Sequence, residues 1–177
     1  GVTAVQTCAL PILNAVDRLW VADITYVPLT GRRLAYLSMI MDRFSRRLIG
    51  WNFNVTMTEQ LVIESLKDAF MTRQPGIELI HHSDRGGQYA GNRFRQILKR
   101  SSIRQSMSRA GNCYDNAFKE SCFGTIKTKL EMTEYETVSE GERELGSYFS
   151  YYNQDRKHSS LGYQTPNQFE STHPGRQ

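Results

Sequence analysis

Three acidic residues stand where backbone preference alone would not put them. Asp23 interrupts the β-branched run "WVADITYV", Asp84 follows the apolar stretch "IELIHHS", and Glu120 lies inside "DNAFKESCFGTIKTKL". Each taken singly has an ordinary explanation. Asp is depleted in strands but tolerated at their edges, and Glu is a good helix former. As a set, three carboxylates could bind a metal ion or act in catalysis. Sixty residues lie between Asp23 and Asp84, and thirty-five between Asp84 and Glu120. His81 and His82 are also metal-ligand types, although their place in a short apolar strand reads as local packing and hydrogen bonding. Asp84 could equally just open the turn "DRGGQ", where Gly86 and Gly87 would let backbone approach a ligand closely or simply reverse the chain.

The elements that must carry these residues are legible from periodicity. "LWVADITYVPL" (19–29), "LAYLSMIMD" (34–42) and "RLIGWNFNV" (47–55) read as three strands at turn spacing, an antiparallel meander. "TMTEQLVIESLKDAF" (56–70) changes to helical period, with Thr56 and Glu59 expected as a capping box. A short strand ends at Ser83, a helix follows over 91–100, and "SIRQSMS" is expected as a fifth strand. Two more helices are expected, from about Asp115 to Leu130 and from about Ser139 to Tyr152. Ser139 and Glu142 suggest a second capping box, while Gly141 and Gly146 weaken that helix. The order β-β-β-α-β-α-β-α-α implies an α/β fold with a mixed sheet flanked by helices.

At 100° per residue, Phe118, Cys122 and Ile126 form one apolar stripe, with Glu120 nearly opposite. Lys127 falls within about 40° of Glu120 on that helical wheel. The helix therefore packs one face on the core and offers a carboxylate and a lysine on the other.

Length and composition suit one soluble globular domain: 177 residues, 39% hydrophobic and 23% charged. No apolar run approaches the ~20 residues that span a bilayer. Cys8, Cys113 and Cys122 form no CxxC pairing, which argues against a disulfide framework and a thiolate zinc site and for a reduced, cytoplasmic setting. The net charge of +4 is unevenly placed. Residues 85–114 hold seven basic residues, among them Arg85, Arg93, Arg95 and Arg109, and no acidic one; residues 131–144 then hold six glutamates against one arginine. A basic block beside an acidic one is the footprint of a polyanion-binding face.

With its two aspartates and a glutamate thirty-five residues further on, the chain resembles the polynucleotidyl transferases that include retroviral integrases and many bacterial insertion-sequence transposases. "WVADITYVPL", "DRFSRRLIGW", "HSDRGGQY", "GNCYDNAFKESCFGTIKTKL" and "YYNQDRKHSSLGYQTPNQFE" look like successive landmarks of the two-reading-frame insertion-sequence transposases, in their second-frame protein. The resemblance covers roughly residues 14–170, with 171–177 as a tail. It implies an RNase H-like fold that gathers Asp23, Asp84 and Glu120 as catalytic residues and as ligands of two Mg²⁺ or Mn²⁺ ions. Hard oxygen donors without cysteine suit those ions. It also implies DNA as partner, a homo-oligomer on DNA, no membrane and no small-molecule cofactor. Lys127 is the expected DNA contact beside the scissile phosphate; Arg85, Lys119, Arg109 and Arg93 are candidates by charge. Hydrolysis without joining, or DNA binding without catalysis, are the competing expectations.

Two features depart from that pattern. The helix-turn-helix region expected upstream of such cores is missing. Residues 2–12, "VTAVQTCALPI", fit nothing in the family and read like a translated sequencing adapter, so residues 1–13 are expected to be a non-native or disordered leader.

Overall fold

The computed structural model describes residues 13–108 and 113–174, so the expected leader lies outside the described residues. Strand β1 (Leu19–Leu29) is the centre of a five-stranded sheet. It pairs antiparallel with β2 (Arg33–Asp42), which pairs antiparallel with β3 (Leu48–Asn54); on its other edge it runs parallel to β4 (Ile80–Ser83), which runs parallel to β5 (Arg104–Met107). The spatial order β3-β2-β1-β4-β5 is the expected meander extended by two parallel strands.

Side-chain alternation sends β1 into two cores at once. Trp20 and Ala22 pack with Val62, Leu66 and Ala69 of α1 (Glu59–Thr72) and with Phe94 and Leu98 of α2 (Asn92–Arg100). Leu19, Val21, Val27 and Leu29 pack on the other face with Cys122, Phe123, Ile126 and Leu130 of α3 (Cys113–Glu131), and with Leu145, Phe149 and Tyr152 of α4 (Val138–Gln154). Asp23, in phase with Val21, therefore faces the α3 side.

Two expected capping boxes are corrected. α1 starts at Glu59 with Thr58 at its N-cap, while the Thr56 hydroxyl donates to Asn54 Oδ1 at 3.2 Å. Glu59 instead caps a different helix: its Oε1 accepts the backbone N–H of Phe94 in the first turn of α2, at 2.8 Å. Glu59→Ala is expected to cost about 1 kcal/mol, read as a lower urea midpoint at unchanged slope. In α4 the N-cap is Thr137, which accepts from Glu140 N at 3.1 Å, and Glu140 Oε2 in turn accepts from Glu136 N at 2.7 Å. That box sits two residues before the expected one. The glycine at 141 is a packing requirement: a Cβ there would meet the Phe53 ring at 2.5 Å.

Gly50 is constrained more tightly. A Cβ there would strike the carbonyl oxygen of Ser65 and lie 2.7 Å from Ala69 N and 2.8 Å from Ala69 Cβ, so α1 rests directly on β3 backbone. Gly50→Ala is expected to destabilise the fold by about 1–3 kcal/mol through overpacking, measurable in a thermal or urea melt.

The chain continues past the last expected helix. A 3-10 turn (Ser159–Leu161) leads to α5 (Pro166–Thr172), capped by a reciprocal Thr165–Gln168 box and running past residue 170. The bulky residues of α5 are too few for periodicity to reveal it. Its Glu170 ties it to the core by ion pairs with Arg47 and Arg73.

Candidate active site

The parallel register brings the two aspartates together. The offset that pairs Leu19 with Ile80 and Val21 with His82 also sets Asp23 beside Asp84, just past the end of β4. Asp23 is buried and its Oδ2 has no hydrogen-bond partner. An isolated buried carboxylate oxygen is costly, and the compensating charge here is Lys127 of α3, whose ammonium is ion-paired with that same Oδ2. The contact is one of charge, without hydrogen-bond geometry. Asp84 is about half exposed, and Lys119 Nζ lies 3.6 Å from its Oδ2. One helix thus sets a lysine on each aspartate, eight residues apart on the same rod.

Backbone geometry aims Asp84. Its Oδ1 accepts the N–H of Gly86 at 2.7 Å, and Gly86 O then accepts from Tyr89 N at 3.0 Å. A Cβ at Gly86 would press on Asp84 Oδ1 at 2.9 Å, so the glycine serves the close turn around this carboxylate. Gly87 has open space around it.

Glu120 lies on the solvent side of α3 and does not join the aspartates in one ligand set: among the described residues, no group of three His, Cys, Asp or Glu side chains is placed to hold a metal ion together. Arg85 and Arg93 are exposed, Arg93 donating to Gln60 Oε1 at 3.0 Å. Arg109 lies outside the described residues. The histidines pack as expected. His81 is buried between Tyr89 and Phe94, with ring centroids 5.9 and 5.3 Å away. Burial, then the neighbouring His82, lowers its pKa to about 4, so the ring is neutral near pH 7. His82 Nδ1 meets Ser106 Oγ at 2.9 Å.

Sequence reasoning passed over Tyr89, fully buried five positions after Asp84. Burial raises its pKa well above the ordinary value, and the charges of Asp23 and Asp84 raise it further, which places its hydroxyl within electrostatic reach of both carboxylates. The tyrosine of "GGQY", five positions after the aspartate, was the available signal. A surface pocket lined by Trp51, Phe53, Asp68 and Glu142 contains none of these residues; of the two aspartates, Asp84 opens to solvent and Asp23 is buried.

The chain matches known proteins in sequence and in fold. A family model described as "Integrase core domain" matches residues 14–113, and another of the same description matches 101–166. The chain is 38% identical over 159 residues to the transposase for insertion sequence element IS904 of Lactococcus lactis, an alignment covering 89% of this chain and 62% of that protein. It thus spans less than two thirds of that relative's length. In three dimensions it matches a chain of the simian T-cell lymphotropic virus intasome solved with PP2A regulatory subunit B56 gamma, with a TM-score of 0.70 at 18% identity over 93% of this chain and 56% of that one. It also matches the HTLV-2 integrase catalytic core domain solved with magnesium, with a TM-score of 0.62 at 13% identity over 88% of this chain and 97% of that one. The mixed sheet with helices on both faces is the RNase H-like fold of these cores, and with more than half its length matched, the chain belongs to the integrase core domain family.

Proposed function

We propose that this chain is the catalytic core of an insertion-sequence DNA transposase, cleaving phosphodiester bonds and joining 3′-OH ends to target DNA with a divalent metal. The observation that carries this reading is the Asp23–Asp84 pair: set side by side by the β1–β4 register, Asp23 buried and Asp84 half exposed, each with one lysine of α3 on it. The donor set fits Mg²⁺ or Mn²⁺, because both groups are hard oxygens and Asp23 Oδ2 is buried without a hydrogen bond. Asp23 and Asp84 would hold the ions, and Glu120, exposed on α3 and apart from them in this structure, would have to turn in as the third donor. Such ions activate an attacking oxygen and stabilise the leaving one in an in-line displacement.

The chain's own side chains do the positioning. Gly86 N–H fixes the direction of the Asp84 carboxylate. Lys127 and Lys119 are ion-paired with the aspartates, and with ions held there both ammonium groups would be available to the phosphates that flank the scissile bond. Exposed Arg85 and Arg93 offer positive charge to the DNA backbone, with affinity that falls as salt rises, and Arg109 is a further candidate by charge alone. The relative at 38% identity is a transposase, and the HTLV-2 core was solved with magnesium, which agrees with this assignment. Assembly on DNA as a homo-oligomer follows from handling two element ends. No helix among the described residues is long and apolar enough to cross a membrane.

The test is an assay on branched DNA that mimics a strand-transfer product, with Mn²⁺ or Mg²⁺. Metal-dependent splicing supports the assignment. Nicking without splicing would replace strand transfer by hydrolysis, and no reaction with salt-sensitive DNA binding intact would reduce the chain to a binding module.

A further inference from the structure

We propose that Arg43, Arg46 and Arg156 form a second phosphate-binding site, on the flank of α3 next to the catalytic carboxylates, that grips the DNA backbone. The proposal rests on the DNA-processing reading above and extends it to residues outside the basic 85–114 block.

The three guanidinium groups come from two segments far apart in sequence, Arg43 and Arg46 from the β2–β3 turn and Arg156 from the connection after α4. Arg46 Nη1 donates to the carbonyl oxygen of Ser121 on α3 at 2.7 Å. The Arg43 guanidinium lies over the Phe118 ring, 5.1 Å from its centroid. Arg156, on the connection after α4, lies 5.9 Å over the Tyr152 ring and meets His158 Nδ1 at 3.1 Å. Mutual influence confirms the proximity: Arg46 acts on Arg43, and Arg46 and Arg156 both act on Tyr152 and His158.

What the cluster lacks is an anion. Among the described residues, none of the three arginines is ion-paired with a carboxylate, whereas Arg18, Arg47, Arg73 and Arg143 all are. Asp155, adjacent to Arg156, is exposed and makes no ion pair with it. Arg43 Nε is buried with no hydrogen-bond partner. Arg46 is held in a left-handed backbone, φ +62°, which glycine or asparagine adopts more easily. Like charges gathered without a counter-ion raise the energy of the free protein, and His158 beside them stays neutral, since burial and then Arg156 lower its pKa to about 4. A solvated arginine face would leave these side chains free. Here the Phe118 and Tyr152 rings and a helix carbonyl fix them, which orients planar guanidinium forks for bidentate contact.

Location names the ligand. Lys119 at Asp84 and Ser121 at Arg46 are two residues apart on α3, about 3 Å of rise but about 200° round the helix. The two sites therefore lie on different sides of one rod about 10 Å across, and a DNA strand that crosses α3 from the aspartates reaches the arginine cluster.

The experiment is anisotropy of a labelled DNA duplex in EDTA across a salt series, comparing the full chain with Arg46→Gln/Arg156→Gln. The slope of log K against log salt should shrink by about 0.9 per lost phosphate contact, hence by nearly 2 in the double variant. Arg143→Gln, a substitution within the acidic stretch, should leave the slope unchanged, and Arg46→Lys/Arg156→Lys should restore most of it. If thermal melts show the double variant unfolded, Arg156→Gln alone carries the test, with an expected change of about 1. A wild-type slope in the folded glutamine variants would overturn the cluster and leave the transposase reading standing. Absence of any salt-sensitive DNA binding by the wild type would overturn both.

Discussion

Asp84→Asn is expected to reduce metal-dependent splicing on the order of 10³-fold, about 4 kcal/mol of transition-state stabilisation, while leaving the fold intact. The two effects separate because the residue's structural and chemical duties use different properties. Its structural duty is to accept the Gly86 N–H at Oδ1, and an asparagine carbonyl does this equally well. Its ion pair with Lys119 is long, 3.6 Å, and half exposed, so losing it costs at most about 1 kcal/mol. Its chemical duty, on the proposed function, is negative charge at a metal, which asparagine lacks. A readout independent of turnover follows. Mn²⁺ at about 100 times its Kd should stabilise the wild type by about 2.7 kcal/mol in a thermal melt, and this increment should vanish in Asp84→Asn. A variant that keeps both the splicing rate and the Mn²⁺ increment would remove Asp84 from the site.

Strands β1–β3 and helices α1–α3 were legible because each buries a periodic set of apolar residues, and alternation or a 3.6 period reports that burial directly. Asp23 and Asp84 were legible as departures from those same patterns. What periodicity could not report is where long polar side chains go. The helical wheel places Lys127 beside Glu120 on the outer face, but a four-carbon stem lets its ammonium turn inward to Asp23. Glu59 fits a cap for its own helix, yet its carboxylate finds the first turn of α2. Arg46 and Arg156, 110 positions apart, both come within electrostatic reach of His158, a neighbourhood that only tertiary structure creates. Helix α5 was missed for the complementary reason: it is held by ion pairs more than by an apolar stripe.

Those ion pairs support the largest stability effect anticipated. Arg73→Met is expected to cost about 3–5 kcal/mol at pH 7. The Arg73 side chain is only 10% exposed, and it pairs with Glu170 of α5 and, at 3.7 Å, with Asp17. Glu170 also accepts from Arg47 Nη1 at 2.8 Å and Ser45 Oγ at 2.7 Å, while buried Asp42 accepts the N–H groups of Asp17, Phe44 and Ser45. Removing one guanidinium therefore strands several desolvated carboxylates, the arrangement in which a buried pair is most costly to break. The pH dependence gives the mechanism a signature. Burial pushes the Glu170 pKa up, but the charge of Arg73, followed by the hydrogen bonds from Ser45, Arg47 and Arg73, brings it below the ordinary value. In the wild type that stability is present above the ordinary carboxylate pKa and lost as pH falls. Asp42 behaves in the opposite sense: burial raises its pKa to about 6, so its contribution is present below about 4 and lost as pH rises through about 6. Without Arg73, Glu170 loses its main source of depression and Asp42 loses an attractive charge, so both bind protons more readily. The deficit of Arg73→Met should shrink when urea melts are run at pH 5 instead of pH 7. An equal deficit at both values would assign the loss to packing of the arginine stem. Arg73→Met/Glu170→Met should recover a large part of the loss, since replacing both members of a buried pair by apolar residues is close to neutral, and that recovery would show that α5 is held by removal of a charge penalty more than by the strength of the bridge itself.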